Sequence, residues 1–142
     1  MCGIIGIASK KPVSNSIIQA LKKLEYRGYD SAGVSTIDSG EINEKKCSGR
    51  VDNLEKILFL NPSTGTLGVG HVRWATHGIP NKVNAHPHSS ELVSVVHNGI
   101  IENSNALKNE LIKKKYVFKS QTDTEVITIL LTDFLKKNNL ID

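Results

Sequence analysis

Residues 1–8 read MCGIIGIA, an Ile-rich apolar run that starts at the first residue. Its length suits a buried strand, which ties the beginning of the chain into a sheet. The same stretch puts a cysteine at position 2, so removal of Met1 would leave a thiol and a free α-amine on one residue. An α-amine, with an ordinary pKa of about 8, can serve as an intramolecular base for a thiol near neutral pH. Cys2 therefore has two readings: a nucleophile that carries its own base, or a small hydrophobe opening a buried strand.

Outward from that strand the pattern changes period. Val13, Ile17, Ala20, Leu21 and Leu24 recur at helical spacing between Pro12 and Gly28, which predicts a helix after the strand. Ala32 to Ile37 alternates as a second strand and breaks at Asp38-Ser39-Gly40, a turn cluster. Asp52 or Asn53 is expected to cap a short helix through Leu54, Ile57 and Leu58 that stops by Asn61-Pro62. Leu67 to Trp74 and Leu92 to His97 read as further strands, and residues 75–90 between them form a long polar loop with Gly78, Pro80 and Pro87. Loops of that length inside a compact domain tend to bind or cover something. Ser104 is expected to cap a helix through Leu107, Leu111 and Ile112, and Tyr116 to Phe118 to form a strand. Thr122 or Asp123 then caps a last helix with Val126, Ile127, Leu130, Leu131, Phe134 and Leu135 on its inner side. Short strands mixed with helices point to one α+β layered domain over residues 1–142.

Composition narrows the function classes. With 39% hydrophobic and 23% charged residues in 142, the chain falls in the ordinary globular range and outside the disordered and collagen-like ones. No apolar run approaches the roughly 20 residues of a membrane span. The net charge is +4, but only three of the 18 basic residues are Arg (Arg27, Arg50, Arg73), and aromatics are 5%. The lysines sit in scattered pairs at the borders of periodic segments, as solvated helix ends do, so a nucleic-acid partner is not expected. Two cysteines, Cys2 and Cys47, are too few for a secreted disulfide scaffold and indicate a reducing, cytoplasmic setting.

Several polar residues invite a chemical reading. His71, His77, His86, His88 and His97 cluster in sequence, which raises a metal site. The span lacks a helical His pair around a Glu, has no Cys pair and holds one acidic residue, Glu91, so no metal is expected. Arg73, at a strand end, is either a planar fork for a carboxylate or part of a surface ion pair. His97-Asn98-Gly99 is either a hairpin turn or, through the Asn amide and the Gly N–H, a pair of donors for a developing oxyanion. Asp123 is either a helix cap or an acceptor for a substrate ammonium.

Taken in order, MCGIIGI at the start, LEYRGYDSAG at 24–33, HVRWATHG at 71–78, NAHPH at 84–88, VVHNGIIEN at 95–103 and QTDTEVI at 121–127 resemble one family. It is the N-terminal glutaminase domain of the isomerising glutamine-fructose-6-phosphate aminotransferases, which are class II glutamine amidotransferases. The resemblance implies an N-terminal nucleophile hydrolase fold, a four-layer αββα sandwich. It implies that Cys2 attacks the glutamine carboxamide after Met1 is removed, and that Asn98 and the Gly99 N–H hold the oxyanion. Arg73, helped by Thr76 and His77, would bind the substrate α-carboxylate, and Asp123 its α-ammonium. Trp74 would lie on a loop that closes over glutamine, with Arg27 and His86 in support. No cofactor is implied.

The expected partners are L-glutamine and a sugar isomerase domain or chain that accepts the ammonia to make glucosamine 6-phosphate from fructose 6-phosphate. Homo-oligomers are usual in the family, and neither nucleic acid nor membrane takes part. The family's glutaminase domain runs beyond residue 142, so a partial domain is expected here, with its sandwich incomplete at the C-terminal end and the sugar isomerase domain absent. The alternative is a catalytically silent truncated fragment or binding module that keeps the site residues.

Overall fold

The computed structural model describes residues 2–74 and 79–140. The opening run forms strand β1 (Gly3–Ala8), an edge strand rather than the buried one expected: Ile5 and Ile7 pack on the core while Ile4 is 41% exposed. The helix that follows is α1 (Ser14–Leu24), closed by a short 3-10 turn at Glu25–Arg27. Strand β2 (Ser31–Asp38) continues into β3 (Glu41–Ser48), helix α2 (Val51–Leu60) and strand β4 (Leu67–Arg73). These strands make one antiparallel sheet in the order β1-β4-β2-β3. Strand β3 is absent from the sequence reading because EINEKKCS is mostly polar. Its signal lay in the preceding turn: Ser39 and Gly40 both have positive φ, 53° and 83°, as a tight two-residue hairpin requires.

One face of this sheet carries the main core. Ala32, Val34, Cys47 and Val72 pack against Ile17, Ile18 and Leu21 of α1 and Val51, Leu54 and Leu58 of α2. Full burial of each Val, Leu or Ile among them contributes roughly 1.5–3 kcal/mol before entropy is counted. Neither Asp52 nor Asn53 caps α2, which begins earlier, at Val51. The Val51 N–H donates instead to Glu25 Oε1 at 2.7 Å, so a carboxylate from the 3-10 turn satisfies an orphan donor of the helix.

The other face meets a second, two-stranded sheet, β5 (His88–Ser89) with β6 (Ser94–Val95). The sheets approach closely: a Cβ on Gly33 would collide with the His86 carbonyl oxygen, and Lys46 Nζ donates to the Pro87 carbonyl at 3.0 Å. The strand expected over 92–97 is thus only two residues long. Its partner, β5, starts directly after Pro87, which has no N–H for a ladder.

Helices α3 (Ser104–Lys113) and α4 (Thr124–Lys137) form the outermost layer around a smaller core of Leu111, Val126 and Ile129. The layer order is the expected αββα. Asn103, not Ser104, precedes α3. Residues 116–118 form no strand; Tyr116 and Phe118 pack on this second core, and Tyr116 Oη donates to Asp133.

The inner face of α4 is also different from the expected one. It buries Thr124, Glu125, Val126, Thr128, Ile129, Thr132 and Asp133, while Leu130, Leu131 and Phe134 are exposed, Phe134 by 55%. Hydrogen bonds decide the rotation: Thr128 Oγ1 donates to the His88 carbonyl, Thr132 Oγ1 to Ser90 Oγ, and Glu125 accepts from the backbone of Lys119 and Ser120. No described helix is long and apolar enough to cross a membrane.

Candidate active site

The site lies between the two sheets, where β1 starts and β4 ends. Antiparallel pairing of Gly3 with Val72 brings the preceding residue, Cys2, beside the end of β4. There the Trp74 N–H points at Cys2 Sγ from 3.2 Å, and the thiol in turn faces the Trp74 carbonyl at 3.4 Å. The sulfur is clasped by backbone while the residue stays partly exposed. Cys47, by contrast, is buried in the main core, and desolvation pushes its thiol above the usual range, which makes it inert at neutral pH.

A cavity of about 590 Å³ opens over Cys2, well within the size range of small-molecule sites. All the expected site residues among the described ones line it: Cys2, Arg27, Arg73, Trp74, His86, Asn98, Gly99 and Asp123. Thr76 and His77 lie outside the described residues. Sequence spacing alone did not bring these groups together; the pairing of β1 with β4 and the packing of the second sheet do.

Each wall has a local cause. Arg73 is the last residue of β4 and only 4% exposed. Its Nη1 stands 3.8 Å from Asp30 Oδ1, and the Asp30 N–H donates to the Arg73 carbonyl at 2.8 Å, so Arg73 is part of a buried pair rather than a surface one. Trp74 lies over Gly28, whose φ of 110° and missing side chain are both needed, since a Cβ would stand 2.6 Å from the indole. Asp123 occupies the N-cap position of α4 but makes no side-chain cap bond; its Oδ2 accepts the Ile101 N–H at 2.6 Å. It also borders a second cavity of about 270 Å³.

Behind the pocket runs a row of buried imidazoles. His71 stacks on His86 with ring centres 4.4 Å apart, and His86 meets His88 edge-on at 4.8 Å. Burial pushes the pKa of His71 down to about 4 and that of His88 to about 3, and it lowers His86 further in the same direction. At neutral pH all three are uncharged rings that hold the sheets together. Among the described residues no group of His, Cys, Asp and Glu is arranged to hold a metal ion. His71 and Asp30 were missed as site residues, although both fall inside the motifs quoted from the sequence. For His71 the signal was spacing, because it is two residues from Arg73 on one face of β4.

Residues 59–137 match a family described as a glutamine amidotransferase domain, more than half of the chain. The chain belongs to this family. It is 55% identical, over 96% of its length, to the isomerizing glutamine-fructose-6-phosphate aminotransferase of Mesorhizobium japonicum, of which it covers 23%. With the enzyme of the same name from Clostridium acetobutylicum the identity is 55% over all of this chain and 24% of the relative. The chain thus spans about a quarter of the length of these relatives. Among solved structures, the glutamine phosphoribosylpyrophosphate amidotransferase of B. subtilis, complexed with ADP and GMP, superposes with a TM-score of 0.77. That match has 26% identity and covers 93% of this chain and 29% of that one. The α+β fold of this amidotransferase domain is therefore of the N-terminal nucleophile hydrolase type.

Proposed function

We propose that this domain hydrolyses L-glutamine to glutamate and ammonia through a thioester on Cys2. The observation that carries the reading is the convergence of Cys2, Asn98, Arg73 and Asp123 on one cavity. Together they match each part of the substrate: a nucleophile and an amide donor for the carboxamide, a cation for the carboxylate, an anion for the ammonium.

With Met1 removed, the Cys2 α-amine takes the thiol proton as sulfur attacks the carboxamide carbon. The resulting oxyanion is held by Asn98 Nδ2 and the Gly99 N–H. Collapse breaks the C–N bond, the amine returns the proton to the leaving nitrogen, and ammonia departs. Water then hydrolyses the γ-glutamyl thioester and frees glutamate and the thiol. Arg73, with Thr76 and His77, binds the α-carboxylate, Asp123 binds the α-ammonium, Arg27 and His86 support them, and the loop bearing Trp74 closes over the substrate. The ammonia passes to a sugar isomerase domain or chain that aminates fructose 6-phosphate; the names of the relatives support this acceptor. Catalysis is expected in the cytoplasm, where Cys2 stays reduced.

The test is glutamate release by the chain and by two variants. Cys2→Ala should abolish it and Cys47→Ala should preserve it; equal loss in both, or equal activity in both, would overturn the reading.

A further inference from the structure

We infer that His71 is a positioning residue for the oxyanion site, holding the Asn98 carboxamide so that its N–H faces the reacting carbonyl. The inference rests on the function proposed above and names a residue that function did not use. His71 Nε2 lies 2.8 Å from Asn98 Oδ1, and Asn98 Nδ2 in turn donates to the Cys2 carbonyl at 3.4 Å. An amide oxygen has no proton to give, so Nε2 must carry the hydrogen. Flipping the amide would set its oxygen against the Cys2 carbonyl oxygen, two acceptors face to face, so the two contacts agree on one orientation.

The holder is buried in the sheet and the held residue is not. Asn98 sits on an exposed loop after β6, outside any strand. His71 is 1% exposed within β4, paired on both sides to β1 and β2, with its ring stacked on His86. Because side chains alternate along a strand, His71 and Arg73 project to the same face. A single strand thus brings the carboxylate-binding cation and the support of the oxyanion donor to one cavity. Preorganisation of this kind is what lets a donor act without reorganising as charge develops.

The experiment compares the chain with His71→Phe, which keeps the ring stack and loses the donor, and His71→Gln, whose amide N–H reaches to about the position of Nε2. First, the ring nitrogens of His71 are read by 15N NMR in the unsubstituted protein. Protonation at Nε2 is expected, and protonation at Nδ1 alone would overturn the inference whether or not the chain is active. Second, His71→Phe should lower kcat about 10- to 100-fold with KM changed by less than about threefold, and His71→Gln should recover most of it. Third, His71→Phe added to Asn98→Ala should cost little more than Asn98→Ala alone. A Gln variant no better than Phe, a change confined to KM, or multiplicative losses in the double variant would each refute it. Should the unsubstituted chain release no glutamate, the proposed function fails, and the His71 tautomer then decides this inference.

Discussion

Acidification from pH 7 to pH 5 is expected to destabilise this fold steeply, because its two sheets are joined by a row of neutral histidines. His71 and His88 have folded pKa values of about 4 and about 3, against 6.5 for an exposed ring. Between those limits the unfolded chain binds protons that the folded chain does not, so stability rises with pH across the window and is lost as pH falls below 6.5. At pH 5 each ring lies 1.5 units below its unfolded value, which removes about 2 kcal/mol per ring. The two together remove about 4 kcal/mol, with His86 adding in the same direction. That is a large part of the 5–15 kcal/mol typical of a domain, about which the effect is easily seen.

Carboxylates do not confuse the window. Asp52, Glu91 and Asp133 have lowered pKa values because of Lys22, Lys136 and Lys114 beside them. The stability they contribute is nearly complete down to pH 5 and is lost as pH falls further, from the ordinary carboxylate range downward. Urea denaturation followed by far-ultraviolet circular dichroism at pH 7, 6 and 5 reads the effect directly. The slope of unfolding free energy against pH should approach two to three protons near pH 5, and His88→Gln should remove one of them. An unfolding free energy constant to within about 1 kcal/mol from pH 7 to pH 5 would refute the reasoning.

Other outcomes follow from the same geometry. Arg73→Lys keeps the charge beside Asp30 but loses the planar fork, so KM for glutamine should rise about tenfold or more while the circular dichroism spectrum is unchanged; an unaltered KM would take Arg73 out of substrate binding. Leu111, 1% exposed in the smaller core, should cost about 2–5 kcal/mol on replacement by Ala. Hydrogen exchange should then accelerate in α3 and α4 before the four-stranded sheet; uniform acceleration would show that the two cores unfold as one.

Much of this architecture was legible in the sequence where a pattern is local. The Ile run of β1, the spacing Val13–Ile17–Leu21 at α1 and the alternation of β2 each place apolar side chains against the main core, and those patterns span only a few residues, so local sequence was enough to find them. Helix α4 departs from its apolar pattern for a physical reason. It has an apolar stripe and a threonine stripe, and amphipathicity favours burying the first. The second is buried because Thr128, Thr132 and Glu125 find hydrogen-bond partners in the two-stranded sheet and the segment before α4. Strand β3 was hidden because only Ile42 and Cys47 among its residues are apolar, and its pairing with β2 supplies what its composition lacks.

The site divides along the same line. Sequence by itself determined the chemical types available: a cysteine at position 2, an Asn-Gly pair, an arginine at a strand end, an acid at a helix start, and the ordered motifs that carry the family resemblance. Only the tertiary structure decided that residues as far apart as Cys2 and Asp123 share a cavity, that Glu25 caps a helix it does not belong to, and that His71 holds Asn98. The physical reason is range. Propensity and periodicity act within a few residues, whereas contacts such as Cys2 with Trp74 or His71 with Asn98 exist only after strands distant in sequence have paired and two sheets have packed.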